Sequence, residues 1–576
     1  MFQPTIDPKA KFRSKWGIGD LLLPLAIVSL IFAIVQTASE FTGAYNEKLV
    51  ISLSLSSLPW YTLQTLARMV VAYFLSLLFT LGYAYTAYRS ATMSVILIPL
   101  LDILQSIPVL SFLPAVVLAL VAVFPSQRIG VELSSVLLIF TGMTWNMTFS
   151  FYQSLVSIPK ELKEASQVYR LGAWQRFWTM ELPSGAVGLV WNSVMSVAGG
   201  WFFLMQTESF TLSNRDFTLP GLGSYLKTAA DRGDFGAIGA GLFVLVGVIV
   251  AIDFFVWRPL IAWAEKFKLE TVEATNAPES RVLDFMRRSP TVRIVSDRVF
   301  APLQESIDRG FNRRSRTALT ANTNPAIWVK WLNWIFLSGF GLIVVWGTWE
   351  ALLLLSKLGF DDWKTVMVGA MYTAFRVMAV LVISLLITVP VGVTIGRNPR
   401  LAQFLQPLVQ IAASVPATAL FPVFLLFLAN LGGGLDIGAV LLMTLGSMWY
   451  ILFNVIAGAQ SIPSELFEAA EVYKLSLVQR WKTLILPGIF PYLVTGIITA
   501  VGGAWNASIA GEYIKFQGKV LTATGLGETI TQASDAGNYS LLLAATVVMS
   551  LLVVTTNRLI WRPLYRLAQE KYQLLI

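Results

Sequence analysis

Two polar segments of this chain repeat nearly the same pattern and carry residue types suited to docking a partner protein. Residues 157–183 read SIPKELKEASQVYRLGAWQRFWTMELP, and residues 461–487 read SIPSELFEAAEVYKLSLVQRWKTLILP, 304 residues later and without a gap. In each copy a proline suits the first turn of a helix, and a glutamate follows near the positive end of the helix dipole. We expect a short amphipathic helix that inserts into a groove of a partner.

The spacing of apolar and small residues defines the docking face. Leu162, Ala165 and Tyr169 recur at i, i+3 and i+7, which places them on one side of a helix. The second copy repeats the pattern with Leu466, Ala469 and Tyr473. The small residues in the middle of each face permit close approach of a partner.

Ionisable residues within apolar stretches are the second group of candidates. Arg68 and Arg376 occupy matching places, and the neutral residues Gln64 and Tyr372 stand one turn before them. We therefore expect no acidic neighbour on their own helix faces and a role in attracting an anion at the outer mouth. The alternative is an interfacial arginine whose side chain extends to lipid headgroups.

Further candidates for the substrate pathway are four polar residues that align in pairs between the two halves: Asp102 with Gln410, and Glu208 with Glu512. Asp102 could line the pathway or bond a helix end, and the two glutamates could meet a binding protein or cap a gate. Asp253 is close to Arg258 in the sequence and is expected to make a polar contact at the cytoplasmic end of its span. Four tryptophans are expected to pack in the core: Trp145, Trp201, Trp449 and Trp505.

Composition identifies an integral membrane protein. The chain has 576 residues, of which 56% are hydrophobic and 13% charged, with a mean hydropathy of +0.67, whereas soluble domains carry about 25% charge. A spanning helix needs about 20 apolar residues, and about twelve segments qualify. The net charge of +9 fits membrane topology better than nucleic-acid binding.

Several chemistries are excluded by what the sequence lacks. It contains no cysteine and no histidine, which removes thiol and imidazole catalysis and the usual zinc and haem ligands. It also contains no G-x-x-x-x-G-K-[ST] phosphate-binding loop. We therefore expect no cofactor, no metal and no enzymatic activity in this chain.

Internal repetition extends beyond the polar loops and predicts the fold. Trp257-Arg258-Pro259-Leu260 recurs as Trp561-Arg562-Pro563-Leu564, again 304 residues later, and Arg68 matches Arg376 at a spacing of 308. We predict an all-α polytopic membrane protein with two repeats of about six helices each. The spans are expected near residues 18–38, 63–88, 92–124, 134–156, 184–206 and 236–257, and near 331–356, 366–396, 402–429, 436–459, 488–508 and 540–561.

The distribution of basic residues predicts the orientation. With a cytoplasmic amino terminus, both polar loops and both Trp-Arg-Pro-Leu segments lie in the cytoplasm, so the repeats are parallel and both termini are cytoplasmic. An uncleaved first helix is favoured over a signal peptide. The third span of each half contains prolines and is expected to be kinked or broken. The predicted domains are 1–258 (core about 60–258), a cytoplasmic linker 259–330, and 331–576 (core about 365–570).

The polar loops resemble the EAA loop of the permeases of ABC importers. The match falls on Glu164-Ala165-Ser166 with Leu182-Pro183, and on Glu468-Ala469-Ala470 with Leu486-Pro487. The Thr-x-x-Arg pattern at Thr65 and Arg68, and at Thr373 and Arg376, is most similar to the nitrate, sulfonate and taurine group.

That resemblance implies a fused permease that imports a small anion (nitrate-, sulfonate-, taurine- or bicarbonate-like) across a bacterial inner membrane. Its implied partners are two ATP-binding subunits, which hold ATP and Mg, and an extracytoplasmic substrate-binding protein, with no nucleic acid. The residues implied to couple to the ATP-binding subunits are Glu161, Glu164, Ala165, Ser166, Tyr169, Arg170 and Gly172 in the first loop and Glu465, Glu468, Ala469, Ala470, Tyr473 and Lys474 in the second.

One departure from the family pattern affects the turn of the loop. Arg170 and Lys474 stand where the family has glycine, six residues after the glutamate, and Gly172 is present in the first copy only. A variant turn and an added contact to an acidic patch of the ATP-binding subunit are both open. Two other functions compete: a secondary transporter with two parallel six-helix halves, and a scaffold or receptor. A secondary transporter gives no reason for two copies of a polar loop, and a scaffold or receptor does not explain a duplicated membrane body.

Overall fold

The computed structural model describes residues 49–124, 128–212, 215–267, 345–421, 434–516 and 519–571, together with a few isolated positions. Within these ranges, eight helices are long and apolar enough to cross a membrane: Leu55–Arg89, Arg128–Val156, Ala173–Thr207, Phe235–Phe267, Phe360–Arg397, Leu435–Ser461, Leu477–Gly511 and Tyr539–Ala568. The expected span 18–38, much of 331–356 and nearly all of the linker 259–330 lie outside the described residues. The shorter apolar helix Val345–Leu355 falls within the expected span 331–356.

The elements of the first half follow one another in the order that the hydropathy pattern predicts. They are α1 (Leu58–Arg89), α2 (Ala91–Ser106), α3 (Leu113–Val123), α4 (Arg128–Val156), α5 (Lys160–Val168), α6 (Leu182–Thr207), β1 (Ser209–Leu212), β2 (Arg215–Thr218), α7 (Leu222–Arg232), α8 (Phe235–Ile252) and α9 (Arg258–Ala264). A short helix, Ala173–Arg176, and a π-helical turn, Phe177–Glu181, lead into α6, and a second π-helical turn, Asp253–Trp257, joins α8 to α9.

The second half repeats this order. Its elements are α10 (Phe360–Arg397), α11 (Pro399–Ser414), α12 (Gly434–Ser461), α13 (Ser464–Val472), α14 (Leu486–Gly511), β3 (Tyr513–Phe516), β4 (Lys519–Thr522), α15 (Leu526–Ala536), α16 (Tyr539–Thr556) and α17 (Arg562–Lys571). The short helix Leu477–Arg480 and the π-helical turns Trp481–Ile485 and Asn557–Trp561 stand where their counterparts do in the first half.

Among the described residues, eight of the about twelve expected spans are continuous helices long enough to cross a membrane, and the expected third span of the first half, 92–124, is two helices. Helix α2 ends at Ser106, Ile107 is extended, and a 3-10 turn, Val109–Phe112, precedes α3. Proline disfavours helical geometry in the residue before it, and Pro108 follows Ile107. In the second half α11 ends in the same way, with Val415 extended before Pro416. The predicted break at the prolines is confirmed.

Two short hairpins modify the expected all-α fold. Strands β1 and β2 pair antiparallel with Ser209 opposite Thr218, and β3 and β4 pair with Tyr513 opposite Thr522. Four-residue strands are too short for their alternation to stand out in a sequence beside spans of about 20 residues.

The residues group into two compact units. One contains 153–191 and 251–267, and the other contains 49–152, 192–250 and the described residues of the second half. In the first unit Arg258 Nε donates to Asp253 Oδ2 at 2.9 Å, so Asp253 makes a polar contact, as expected. In the second unit α12 packs along α10 and α14. Glycine permits that approach, because a Cβ on Gly496 would stand 3.0 Å from the Ile451 Cα.

Candidate functional site

The two polar loops form the same helix and the same turn. Helix α5 ends in a reverse turn in which Leu171 N donates to Ser166 O at 3.0 Å and Arg170 N donates to Gln167 O at 2.9 Å. These two bonds define a Schellman motif, which requires a left-handed residue just after the helix and usually has glycine there. Arg170 supplies that residue with φ of 50°.

Helix α13 ends in the same way. Leu475 N donates to Ala470 O at 3.0 Å, Lys474 N donates to Glu471 O at 2.9 Å, and Lys474 has φ of 51°. A left-handed conformation costs a residue other than glycine about 1–2 kcal/mol. Both loops therefore form a left-handed turn of the kind that glycine favours, with Arg170 and Lys474 at the left-handed position, and the two readings of these residues stay predictions.

The end of each loop helix is exposed. Tyr169 is 77% exposed and Tyr473 is 79% exposed, and the valines before them are equally open. The glutamates and the basic residues Arg170 and Lys474 are also exposed, whereas Ser166 of α5 and Ala470 of α13 are buried. Ala165 and Ala469 are half-buried. The arrangement offers an apolar, aromatic and cationic surface, and the coupling role of these residues stays a prediction.

A buried cluster of Thr65, Arg68 and Glu208 joins α1 to the first hairpin and α7. Thr65 Oγ1 donates to Glu208 Oε1 at 2.7 Å, and Arg68 Nη1 donates to the same oxygen at 2.8 Å. Gly223 N donates to Glu208 Oε2 at 2.6 Å. A Cβ on Gly221 would stand 2.2 Å from the Glu208 carboxylate, so only glycine fits beside it.

The second half contains the same cluster, made of Thr373, Arg376 and Glu512. Thr373 Oγ1 and Arg376 Nη1 both donate to Glu512 Oε1 at 2.8 Å, and Gly527 N donates to Glu512 Oε2 at 2.8 Å. Burial raises the pKa of Glu512 to about 7, although the Arg376 guanidinium opposes that shift. Each cluster thus fixes the end of the first described span to the hairpin that follows α6 or α14.

The arginines have acidic partners that the sequence analysis missed. Arg68 binds Glu132 of α4 through both Nε and Nη2, the latter at 2.8 Å, in addition to Glu208. Arg376 Nη2 donates to Asp436 of α12 at 2.6 Å. The acids come from other helices and from beyond the span, so the expectation of no acidic neighbour on the arginines' own helix faces did not reveal these pairs. Glu132 and Asp436 are also 304 residues apart, a signal that could have identified them.

Burial shows that these clusters are part of the protein interior. Arg68, Glu132 and Glu208 have no exposed surface, and Glu512 has none either. The two glutamates therefore do not present a surface to a binding protein. Both arginines are charge-neutralised within the fold, and headgroup contact is likewise excluded for the fully buried Arg68.

A central cavity of about 200 Å³ lies between the two halves. Equivalent positions of both repeats line it, including Gly142 with Gly446 and Trp145 with Trp449. The glycines of α6 and α14 open it, and a Cβ on Gly502 would meet nothing within 4 Å. The cavity extends to Asn557 and Trp561 at the end of α16.

A second cavity, of about 240 Å³, lies on the hairpin side and contacts both halves. It is lined by Asp231 and Asp535, another repeat pair, and by Tyr513. The Tyr513 hydroxyl donates to Asp535 Oδ2 at 2.9 Å, and burial together with that carboxylate raises the pKa of Tyr513.

The interrupted third spans separate the two cavities. In the first half Val109 lines the central cavity and Leu110 lines the hairpin-side cavity. In the second half Ala417 lines the central cavity and Thr418 lines the hairpin-side cavity. The Val109 N–H, freed by the break at Pro108, donates to Asn506 Oδ1 of α14 at 2.7 Å. Thr546 Oγ1 donates to Ser111 O at 3.4 Å. The breaks thus form the barrier between the two cavities.

The remaining candidate residues lie elsewhere. Gln410 is on α11 and does not line either cavity. Asp102 is on α2, but its side chain lies outside the described residues. Trp201 and Trp505 are buried, as expected, whereas Trp145 and Trp449 line the central cavity. In the part of the chain that the structure describes, no cluster of acidic residues could hold a metal ion.

Comparison with known proteins gives one family. The model of the family described as binding-protein-dependent transport system inner membrane component matches the chain twice, over residues 77–257 and 388–560. The two matches coincide with the two repeats and include both polar loops, all of α6 and α14, and both hairpins.

Curated relatives match about a third of the chain. The nitrate import permease protein NrtB of Synechococcus elongatus is 29% identical over 173 residues, which are 30% of this chain and 58% of the relative. The taurine transport system permease protein TauC of Escherichia coli is 26% identical over 177 residues, 31% of this chain and 61% of TauC. The bicarbonate transport system permease protein CmpB of Synechococcus elongatus is 27% identical over 179 residues, with 31% and 61% covered. The chain therefore spans about three-fifths of these relatives' length.

Proposed function

Because the chain belongs to the family of binding-protein-dependent transport system inner membrane components, the permeases of ABC transporters, we propose that it is a fused permease in which one polypeptide supplies both halves of the import pathway. A permease of this family is not itself catalytic. Because the chain belongs to this family, the alternative of a secondary transporter is not favoured. The observation that carries the proposal is the central cavity, which equivalent residues of both repeats line.

The pathway runs from the hairpin-side cavity to the central cavity through the barrier at Val109 and Ala417. With the orientation that the basic residues predict, the hairpins face outward and Asn557 and Trp561 face the cytoplasm. A solute delivered by a substrate-binding protein would enter at the hairpin side. The domain boundaries at 258 and 330 and the cytoplasmic termini are part of this proposal.

The solute is proposed to be a small anion. The relatives NrtB, TauC and CmpB are named for nitrate, taurine and bicarbonate, and all three of these solutes are small and carry oxygen acceptors. A volume of about 200 Å³ is several times the roughly 30 Å³ that one water occupies in the liquid, so a small oxyanion fits with part of its hydration.

Coupling to ATP hydrolysis is assigned to α5 and α13. Each would dock in one ATP-binding subunit, which holds ATP and Mg, with its exposed glutamates and tyrosine at the contact. Ala165 and Ala469, half-buried at the helix face, would limit the approach distance. Changing either alanine to aspartate should uncouple transport without removing the chain from the membrane, and uptake at the normal rate by both variants would disprove the docking role.

The pathway is tested by filling the cavity. Gly502→Leu places a side chain in open space within the cavity, and Gly247→Leu is the matched control, because Gly247 is an exposed position of α8 whose Cβ also meets nothing. Cells that express the complete transporter are assayed for uptake of labelled nitrate, taurine and bicarbonate. We expect Gly502→Leu to abolish uptake and the control to retain it. Equal uptake by the two variants would show that the cavity is not the pathway.

A further inference from the structure

One side of the loop helix α13 is held by a side chain at the end of α10. Phe467 and Glu471 are one turn apart and share that side of the helix. Ala469 and Tyr473, which are assigned to docking, each come two residues later and therefore face another way. The Arg397 guanidinium carbon stands 3.9 Å from the centre of the half-buried Phe467 ring. Because Arg397 is the last residue of α10, this contact joins the loop helix to a membrane span.

A second arginine holds the turn that follows α13. Arg480 Nε donates to Leu475 O at 3.0 Å, and Arg480 Nη1 lies 3.6 Å from Glu471 Oε1. One guanidinium thus contacts both the left-handed turn and the side of α13 that Phe467 occupies. Arg480 ends the short helix that leads into α14, and residues of α14 line the central cavity.

The first loop has different residues at the position of the ring contact. Helix α5 contains no aromatic residue, and Lys163 stands 304 residues before Phe467. The counterpart of Arg397 is Arg89, at the spacing of 308 and at the end of α1. Arg89 contacts its own helix, where Nε donates to the Tyr85 hydroxyl at 3.1 Å and the guanidinium carbon is 5.3 Å from the Tyr85 ring centre.

The turn of the first loop is also held differently. Gln167 stands at the place of Glu471, and Arg176 is the counterpart of Arg480. Arg176 Nε lies 3.4 Å from Glu181 Oε1, at the start of α6. The second half has isoleucine at the matching place, so no acid there competes for the arginine. The two loops therefore share a backbone shape but differ in how they are fastened.

We propose that Arg397 and Arg480 are positioning residues that anchor the second loop helix to α10 and α14, so that the two loops are unequal in coupling. The inference rests on the proposed function in assigning α13 to docking. A push on α13 reaches the spans only as far as the helix and the spans move together. A guanidinium stacked on a partly desolvated ring resists their separation, and its planar shape suits that stacking better than an ammonium does.

Hydrogen exchange of the full chain in detergent tests the anchor without any partner protein. In Arg397→Gln the amides of residues 464–476 should exchange about two- to five-fold faster, as expected for the loss of one cation–π contact. Arg397→Lys should give an intermediate rate. In a Phe467→Leu background, Arg397→Gln should have no further effect, because the contact is already gone. The matched control is Arg89→Gln, which should leave the exchange of residues 160–172 unchanged.

Coupling is measured with the complete transporter in reconstituted vesicles, as labelled nitrate, taurine or bicarbonate imported per ATP hydrolysed. Arg397→Gln should lower this ratio about two-fold or more, while the ATP-binding subunits remain bound in pull-downs. Arg89→Gln should keep the normal ratio. A residue that only stabilised the chain would change the amount of transporter but not the solute imported per ATP.

Each outcome decides a separate point. Unchanged exchange of residues 464–476 in Arg397→Gln, or an equal acceleration of residues 160–172 in Arg89→Gln, overturns the unequal anchor. Faster exchange with a normal import ratio overturns the positioning role. The docking role fails on different evidence, normal uptake by the Ala165→Asp and Ala469→Asp variants, and the exchange experiment then still decides whether Arg397 anchors α13.

Discussion

Replacing the two buried arginines should reveal their structural role and should do so unequally. Arg68→Gln removes the cation from Glu208, and Arg376→Gln removes it from Glu512, both of which have no exposed side-chain surface. Breaking a buried pair by deleting one partner costs about 3–5 kcal/mol. Both variants should therefore lose stability where the hairpin and the following helix are attached.

The second acid in each cluster makes the difference. Arg68→Gln also removes the bidentate contact to the buried Glu132, worth about 1.5–3 kcal/mol as a hydrogen bond to a charged group, although Arg128 remains 2.8 Å from Glu132. Arg376→Gln removes the contact to Asp436, which is 73% exposed and is readily hydrated, so that pair is worth about 0–1 kcal/mol. Arg68→Gln should thus be the more damaging by about 1–2 kcal/mol.

Hydrogen exchange measured by mass spectrometry tests this locally. In Arg68→Gln the peptides of residues 215–232 should exchange faster, while those of 519–536 serve as the unchanged control, and the reverse holds for Arg376→Gln. The combined variant Arg68→Gln, Glu208→Gln should recover much of the protection, because it removes both charges of that buried pair while Glu132 keeps its ion pair with Arg128. If Arg68→Gln leaves hydrogen exchange unchanged but raises the anion concentration at which uptake is half-maximal, Arg68 is instead a solute ligand.

Three further changes have defined outcomes. Arg170→Gly and Lys474→Gly should each stabilise the loop turn by about 0.5–1 kcal/mol, because relief of the left-handed strain outweighs the loss of a favourable cation at the helix end. Arg170→Val should destabilise the turn, and hydrogen exchange of residues 164–176 measures the effect. Gly221→Ala should disrupt the first cluster, because the added Cβ would collide with Glu208. Gly239→Ala, whose Cβ would have no atom within 4 Å, should leave it intact, and the thermal stability of the two variants in detergent is compared. Asn506→Leu should leave the Val109 N–H unpaired, at a cost of about 1–3 kcal/mol, and should increase ion leakage through reconstituted vesicles. The control is Asn454→Leu, because the Asn454 side chain bonds its own helix, and this variant should show no added leakage.

The class of the protein, its duplication and the places where its spans are interrupted can all be inferred from the order of residues along the chain. Continuous apolar runs can only be satisfied as helices in a bilayer, and a repeat at constant spacing requires no structure to be recognised. The break at Pro108 follows equally from local geometry, because proline disfavours the helical conformation of the residue before it. The loop helices α5 and α13 are local as well, since their apolar spacing and prolines lie within a few residues of one another.

The contacts of the buried polar residues, in contrast, are visible only in the folded protein. Arg68 meets Glu132 and Glu208 across 64 and 140 residues of sequence, and no inspection of its own helix face could identify those partners. The cavity likewise consists of residues from several helices, and its polarity is a property of their joint arrangement. The left-handed turn at Arg170 is the intermediate case: the unusual residue was visible in the sequence, but the hydrogen bonds of the folded loop decided that the backbone keeps a conformation suited to glycine.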